Sequence, residues 1–410
     1  MNKIDKAVPR RGMRGVTLIE LMIALLIGII LLLGLVQIFS ASRSAYQLSQ
    51  GIARNQESSR FAIDFLSRDL RMAGHSGCVN DQSLLSTSGS GITGGNIRSL
   101  FLTEAQRNAN AVSALLFPLR FDVSIQGFEA VGTAPKDVLN VPGAPVVGTA
   151  ANWSPALPTE LVRLGPVAGS DILILRYFSA EEAPVTNFDA LGTITYKDAD
   201  GALATGGSGL FAIADCRGAS VFQASAAPTS TTLSVVQGGL NASSLGYVSS
   251  QDGPLAYKAG SASLFRAESI AYYIGVGAGG EPALYRARWT AAPGSAELNP
   301  VKEEMVEGIE SMQLLFGRDV ADPPQGYIAT MDTAGAVSNA TSDAANAAAW
   351  RRIGAVQVGL LVRNAGERAA ALQSADGRRV LEVKMNVPGD ANYRSTYETT
   401  VALRNRLIGN

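Results

Sequence analysis

The chain has one histidine, His75, and two cysteines, Cys78 and Cys216, among 410 residues. Structural zinc takes four Cys or His ligands, so a Cys/His zinc framework is excluded. Most histidine-based acid–base chemistry goes with it: no activated Ser or third Cys accompanies His75, which reads as a turn residue. Asp64, Asp69, Glu303, Glu304 and Glu310 supply carboxylates. Nothing in the sequence converges them, and they read as solvated surface. Gly275-Val276-Gly277-Ala278-Gly279-Gly280 has the letters of a dinucleotide fingerprint. A phosphate cradle needs a helix after it, and here SIAYYI precedes and ALYRARW follows, so a hairpin loop is expected. Asp198-Ala199-Asp200-Gly201 begins like a calcium loop but has no Glu at the bidentate position, and reads as a polar turn. Asn152, Asn241 and Asn339 stand in N-x-[ST] sequons and read as chance matches. Tyr272, Tyr273, Tyr285 and Trp289 are expected to pack across adjacent strands. With no G-x-S-x-G elbow and no P-loop, no catalytic, metal or cofactor site is assigned, and an enzyme is not expected.

One charge is out of place. Val16 to Phe39 is a run of 24 residues whose single ionisable side chain is Glu20. As a helix the run spans about 36 Å, enough to cross a hydrocarbon core. Residues 1–15 carry Lys3, Lys6, Arg10, Arg11 and Arg14 against Asp5 alone. Positive charge before the span predicts a cytoplasmic N-terminus and an exported remainder. The whole chain has a formal net charge of −1, with 47% hydrophobic and 17% charged residues. That composition excludes global disorder and a basic nucleic-acid surface.

The run is too long for a conventional signal peptide, and Ser40-Ala41-Ser42 is a weak cleavage site. A plain signal anchor leaves Glu20 unexplained, because a carboxylate deep in a bilayer costs about 2.5–3.5 kcal/mol and calls for a partner. Arg14-Gly15-Val16-Thr17-Leu18-Ile19-Glu20-Leu21 resembles the type IV prepilin processing motif. The resemblance implies cleavage after Gly15 by a prepilin peptidase, methylation of the new N-terminus at Val16, and Glu20 as the fifth mature residue. The motif's usual residue at the position of Val16 is Phe, a departure here. Glu20 would then lie about one helical turn from a charged amine and offset it, on its own chain or on a neighbour in a fibre. A Glu snorkelling at the cytoplasmic interface is the alternative.

The helical pattern continues. Residues 40–73 contain no proline, and Ile52, Ser59, Ile63, Leu66 and Leu70 make one stripe. Arg60, Asp64 and Arg68 are spaced for i,i+4 ion pairs on another face. Gly74 is the expected stop. Many major pilins have a kinking proline at the place of Gln37; here a kink would have to come from Gly28, Gly34 or Gly51. Beyond the helix, strand-like runs are read at 171–178, 211–215, 219–224, 231–236, 264–274, 283–289, 309–316, 353–363, 380–386 and 397–404. Stretches 79–170 and 320–349 are rich in Gly, Ala, Ser, Asn and Pro and read as long loops or insertions. The expected fold is α+β and pilin-like: a long N-terminal helix packed on a mainly antiparallel sheet. The expected divisions are a cleaved leader at 1–15, a membrane or filament-core half-helix at 16–39, an amphipathic half at 40–73, and a globular domain at 74–410.

With that topology Cys78 and Cys216 both face the periplasm, where disulfides persist. A bridge between them would staple the helix end to the sheet; two free or intermolecular thiols are the alternative. Arg71–Cys78, Asp215–Phe222, Val306–Asp319, Trp350–Ile353 through Leu360–Arg363, and Thr399–Asn405 resemble the PilW minor pilins. The resemblance implies a low-abundance pilin of the inner membrane that primes type IV pilus assembly and lies at or near the filament tip. Its implied partners are the other minor pilins, the major pilin, the prepilin peptidase, the assembly platform and a large tip adhesin. It also implies service in adhesion and twitching motility. The J-type pseudopilins of type II secretion share this fold and end similarly, so that role stays open. So does an adhesive or ligand-binding module on a pilin stem.

Overall fold

The computed structural model describes residues 15–79, 97–109, 111–189, 192–198, 201, 203, 208–216, 218–245, 257, 260–322, 324–364, 377–390 and 392–406. One helix, α1 (Leu18–Met72), runs 55 residues, about 82 Å. It starts where Thr17 caps it. The Thr17 hydroxyl accepts the Glu20 N–H at 3.3 Å, and the Glu20 carboxylate accepts the Thr17 N–H at 3.3 Å. This reciprocal pair satisfies two of the donors a helix start leaves open. It ends as expected at Gly74, whose φ of +79° suits glycine after a helix. Gly28, Gly34 and Gly51 do not interrupt it.

The strands, in chain order, are β1 (Ile97–Ser99), β2 (Ile125–Ala130), β3 (Val138–Asn140), β4 (Trp153–Ser154), β5 (Ile172–Phe188), β6 (Thr193–Tyr196), β7 (Leu210–Ala214), β8 (Ala219–Gln223), β9 (Thr232–Ser234), β10 (Ser263–Val276), β11 (Pro282–Thr290), β12 (Asn299–Glu307), β13 (Ile309–Arg318), β14 (Thr330–Asp332), β15 (Ile353–Arg363), β16 (Arg378–Val380), β17 (Val383–Asn386) and β18 (Arg394–Ala402). They form a large sheet in the order β1-β8-β7-β10-β5-β2-β4, with β11 and β12 continuing from β10, and β6 and β9 from β5. A second sheet runs β14-β13-β15-β18, and a third β16-β17-β3. The pairings are antiparallel except β1 with β8 and β17 with β3. The third sheet joins what sequence reads as one strand at 380–386: Leu381 and Glu382 have positive φ and turn the chain between β16 and β17.

The first two sheets share a core with α1. Ala62, Leu66, Leu70 and Ala73 pack among Leu173 and Leu175 of β5, Tyr272 and Ile274 of β10, Met312 and Phe316 of β13, and Val358 and Leu360 of β15. The buried face of α1 is Gly51, Asn55, Ser59, Ala62, Leu66, Asp69 and Leu70. The expected stripe is therefore rotated: Ile52 and Ile63 sit half-buried at its margin. Small and polar residues hold the line of closest approach, which an apolar count overlooks.

The stretch 79–170 is not an unstructured insertion where it is described. Trp153, Leu157, Leu161 and Leu164 pack with Phe128, Ile174, Tyr273 and Trp289 in a core of their own. The stretch 320–349 holds two short helices, Ala334–Val337 and Asp343–Trp350. Trp350 meets Phe316 edge to face at 4.8 Å. Gly127 of β2 is needed here, since a Cβ would lie 2.4 Å from the Phe316 ring. The Gly275–Gly280 run is the β10–β11 hairpin, as expected, and Tyr273 stacks on Tyr285 across it at 5.6 Å. Residues 199 and 200 of the Asp198–Gly201 turn, and most of the leader, lie outside the described residues.

Candidate assembly surface

Gly15, Val16 and Glu20 lie together at the tip of the stem. Val16 is 71% exposed and directly precedes the cap residue Thr17. From there to Phe39, itself 70% exposed, the apolar side chains of α1 touch nothing in the protein. A helix apolar all round is stable only against lipid or other apolar helices. Glu20 is exposed within this surface, its carboxylate turned back on Thr17. The letters T-x-x-E, readable as a capping box, are the signal that finds this contact.

The other half of α1 is bound to the globular head by buried polar groups. The Asn55 amide donates to the Val362 carbonyl at 3.2 Å, the Tyr393 carbonyl at 3.3 Å and the Ser395 hydroxyl at 3.1 Å. Asp69 accepts the Tyr272 hydroxyl at 2.6 Å and faces Arg286 at 3.3 Å, which in turn holds Glu303 at 2.7 Å. Burial, then the neighbouring Asp69 carboxylate, pushes the Tyr272 phenol far up, so it stays a donor. Asp69 and Glu310 are thus not solvated surface: they are 6% and 8% exposed, and paired. Among the described residues, Asp64 closes no ion pair with Arg60 or Arg68, although the spacing permits one.

The helix end is fixed to the sheet. Cys78 and Cys216 form a disulfide, with S–S 2.08 Å and Cα atoms 4.8 Å apart, across 138 residues of sequence. His75 is the expected turn residue, its Nδ1 2.8 Å from the Phe178 carbonyl. Further along the head, Glu310 lies between two buried guanidiniums, 2.7 Å from Arg394 and 3.3 Å from Arg363. Arg394 also holds Asp390 at 2.6 Å. That hydrogen bond, with help from the Asn392 N–H, keeps the Asp390 carboxyl down at about 2. Asp171 carries no such cation. Burial pushes its carboxyl well up, although the N–H groups of Ala130 and Leu314 donate to it at 2.8 Å each and tie β2 to β13. Among the described residues, no three His, Cys, Asp or Glu side chains converge to hold a metal ion.

These features define a class: an α+β protein with a bare apolar stem, a capped and charged stem tip, and a sheet head clasping the second half of one long helix. That is the pilin-like class. The family model described as type IV pilus-assembly protein W matches residues 271–405, from mid-β10 to the last turn. The prokaryotic N-terminal methylation motif matches residues 10–36. Over these residues the chain is similar to the PilW family of type IV pilus-assembly proteins and to the pilin N-terminal motif, which supports a type IV pilin role in pilus assembly. A single apolar helix with that motif fits a single-pass inner-membrane protein. No curated protein matches the chain.

Proposed function

We propose that the protein is a minor pilin that primes type IV pilus assembly and lies at or near the filament tip. The observation that carries this reading is the stem: a run of 24 residues, apolar but for Thr17, Glu20 and Gln37, bare on every side and continuous with a half-helix locked to the head. On this reading the leader is removed after Gly15 and the amine of Val16 is methylated. The head faces the periplasm, where the Cys78–Cys216 bridge persists. In the membrane, lipid covers the stem; in the filament, the stems of other pilins do. Moving from one to the other exchanges like for like, so the transfer costs little in apolar burial and is directed by packing and charge. Glu20 provides the charge: its carboxylate offsets the Val16 amine of its own chain or of the preceding subunit. The test is deletion of the chain, scored by pili in a shear fraction. Near-complete loss of pili, restored by the wild-type chain, is expected; an undiminished yield rejects priming.

A further inference from the structure

At the margin of the buried face of α1, where Ile63 and Tyr397 border the core, runs an open groove of about 720 Å³. One wall is the helix, through Arg60, Ile63, Asp64, Arg68 and Arg71; the other is Tyr397 of β18. The three arginines are exposed, and among the described residues none of them forms an ion pair. Three guanidiniums against one carboxylate make this a cationic trough with an apolar floor.

The far wall is an open edge. Among the described residues, β18 ends the second sheet and pairs only with β15, from Ala355↔Ala402 to Arg363↔Arg394. Alternate N–H and C=O groups of an edge strand point away from its neighbour. Among the described residues, no backbone hydrogen bond outside the sheet involves Ser395–Ala402. The trough therefore offers unused backbone groups, an aromatic wall and cations along one line. Such a site takes an extended segment by strand addition, and its charge selects an acidic one.

Lipid is a poor candidate for the anion. Counted along the helix from Phe39, Arg60 stands about 31 Å and Arg71 about 48 Å beyond the apolar run. A membrane surface potential fades within about 8 Å at physiological ionic strength. We propose that this groove docks the globular head of a different pilin-class subunit, through an extended, carboxylate-bearing segment laid along β18. The inference rests on the assembly reading above and names the surface through which the head takes part.

The test uses the full chain in pilus-bearing cells, with the chromosomal copy deleted. A photo-crosslinking amino acid at Ser67, inside the groove, should capture another pilin-class subunit; one at Glu297, on the head away from it, should not. Reversal of the three cations (Arg60→Glu, Arg68→Glu and Arg71→Glu together) should leave the membrane level unchanged and lower that cross-link and the chain's recovery in sheared pili about tenfold. All three side chains are exposed, and an Arg60→Gln, Arg68→Gln, Arg71→Gln variant, which removes the cations without adding like charges along the helix, should lose the cross-link as well. A cross-link at Ser67 only to phospholipid, or only to a second copy of this chain, overturns the proposal. So does normal recovery of the reversed variant. Glu20→Ala separates the two failures: loss of that variant with normal recovery of the reversed one sinks the groove alone, and normal recovery of both sinks the assembly reading as well.

Discussion

At the scale of single residues, Glu20 carries two roles that substitution can separate. It closes the capping box with Thr17, and its charge is free to offset an amine in an apolar surrounding. Glutamine retains the first role and loses the second. Glu20→Gln is therefore expected to insert and to be cleaved normally yet be lost from sheared pili, as Glu20→Ala is; normal recovery of the glutamine variant would reduce Glu20 to a cap. In the head, Glu310 neutralises Arg394 and Arg363, both buried. Glu310→Ala leaves Arg394 with Asp390 and Arg363 with Glu281 as their remaining carboxylates, and should cost about 2–3 kcal/mol in urea denaturation of the detergent-solubilised chain, short of the full cost of an unpaired buried charge. Asp390 adds a pH dependence. Its folded value, about 2, lies below the unfolded one, which is about 4. Its contribution is thus complete above about pH 4 and lost as pH falls towards 2. Asp390→Asn should flatten stability against pH in that window. The stem residues were legible because a basic leader, a glycine and one Glu in an apolar run have a joint meaning. The Glu310 pairing was not: Arg394 lies 84 residues away in sequence, and no local pattern joins them.

At the scale of elements, what was legible followed burial on one or both faces. β10, β13 and β15 are read close to their observed bounds, whereas β5, read at 171–178, runs on to Phe188 through a largely exposed half that shows no apolar run. β12 was invisible because it is an edge strand whose Lys302, Glu303 and Glu304 face water. The short strands and turns of 97–170 lack periodicity because three or four residues cannot show one. They are nonetheless core, through widely spaced anchors such as Trp153 and Leu161. The joint of stem and head was half legible. Leu66 and Leu70 announce the buried face, while of its polar fasteners Asp69 reads as solvated surface and Asn55 gives no signal. Tyr272→Phe removes a hydrogen bond to the buried Asp69 carboxylate. It should cost about 1.5–3 kcal/mol in the same denaturation assay, without changing recovery in the membrane. Loss of the Cys78–Cys216 bridge, by the double change to Ala, should cost about 5 kcal/mol for a loop of 138 residues. A smaller shift would mean that the reduced chain already holds those segments together.

At the scale of the whole molecule, the near-neutral net charge of −1 joins two oppositely charged parts. The leader is basic and the remainder acidic, so the cationic groove of α1 and β18 stands out against its own head. The long helix serves both halves of the design. Its first part is exposed to whatever apolar surroundings it meets, and its second part fixes the head to that stem without a hinge. Sequence shows the stem, the class and the helix stop; it does not show which sheet edge stays open, because that depends on strand order. The measurement that bears most directly on the whole is the intact mass of the chain recovered from sheared pili. The expected species is residues 16–410 with one disulfide and one added methyl group. Recovery of the chain only from membranes, with residues 1–15 still attached and none in the pili, would contradict it.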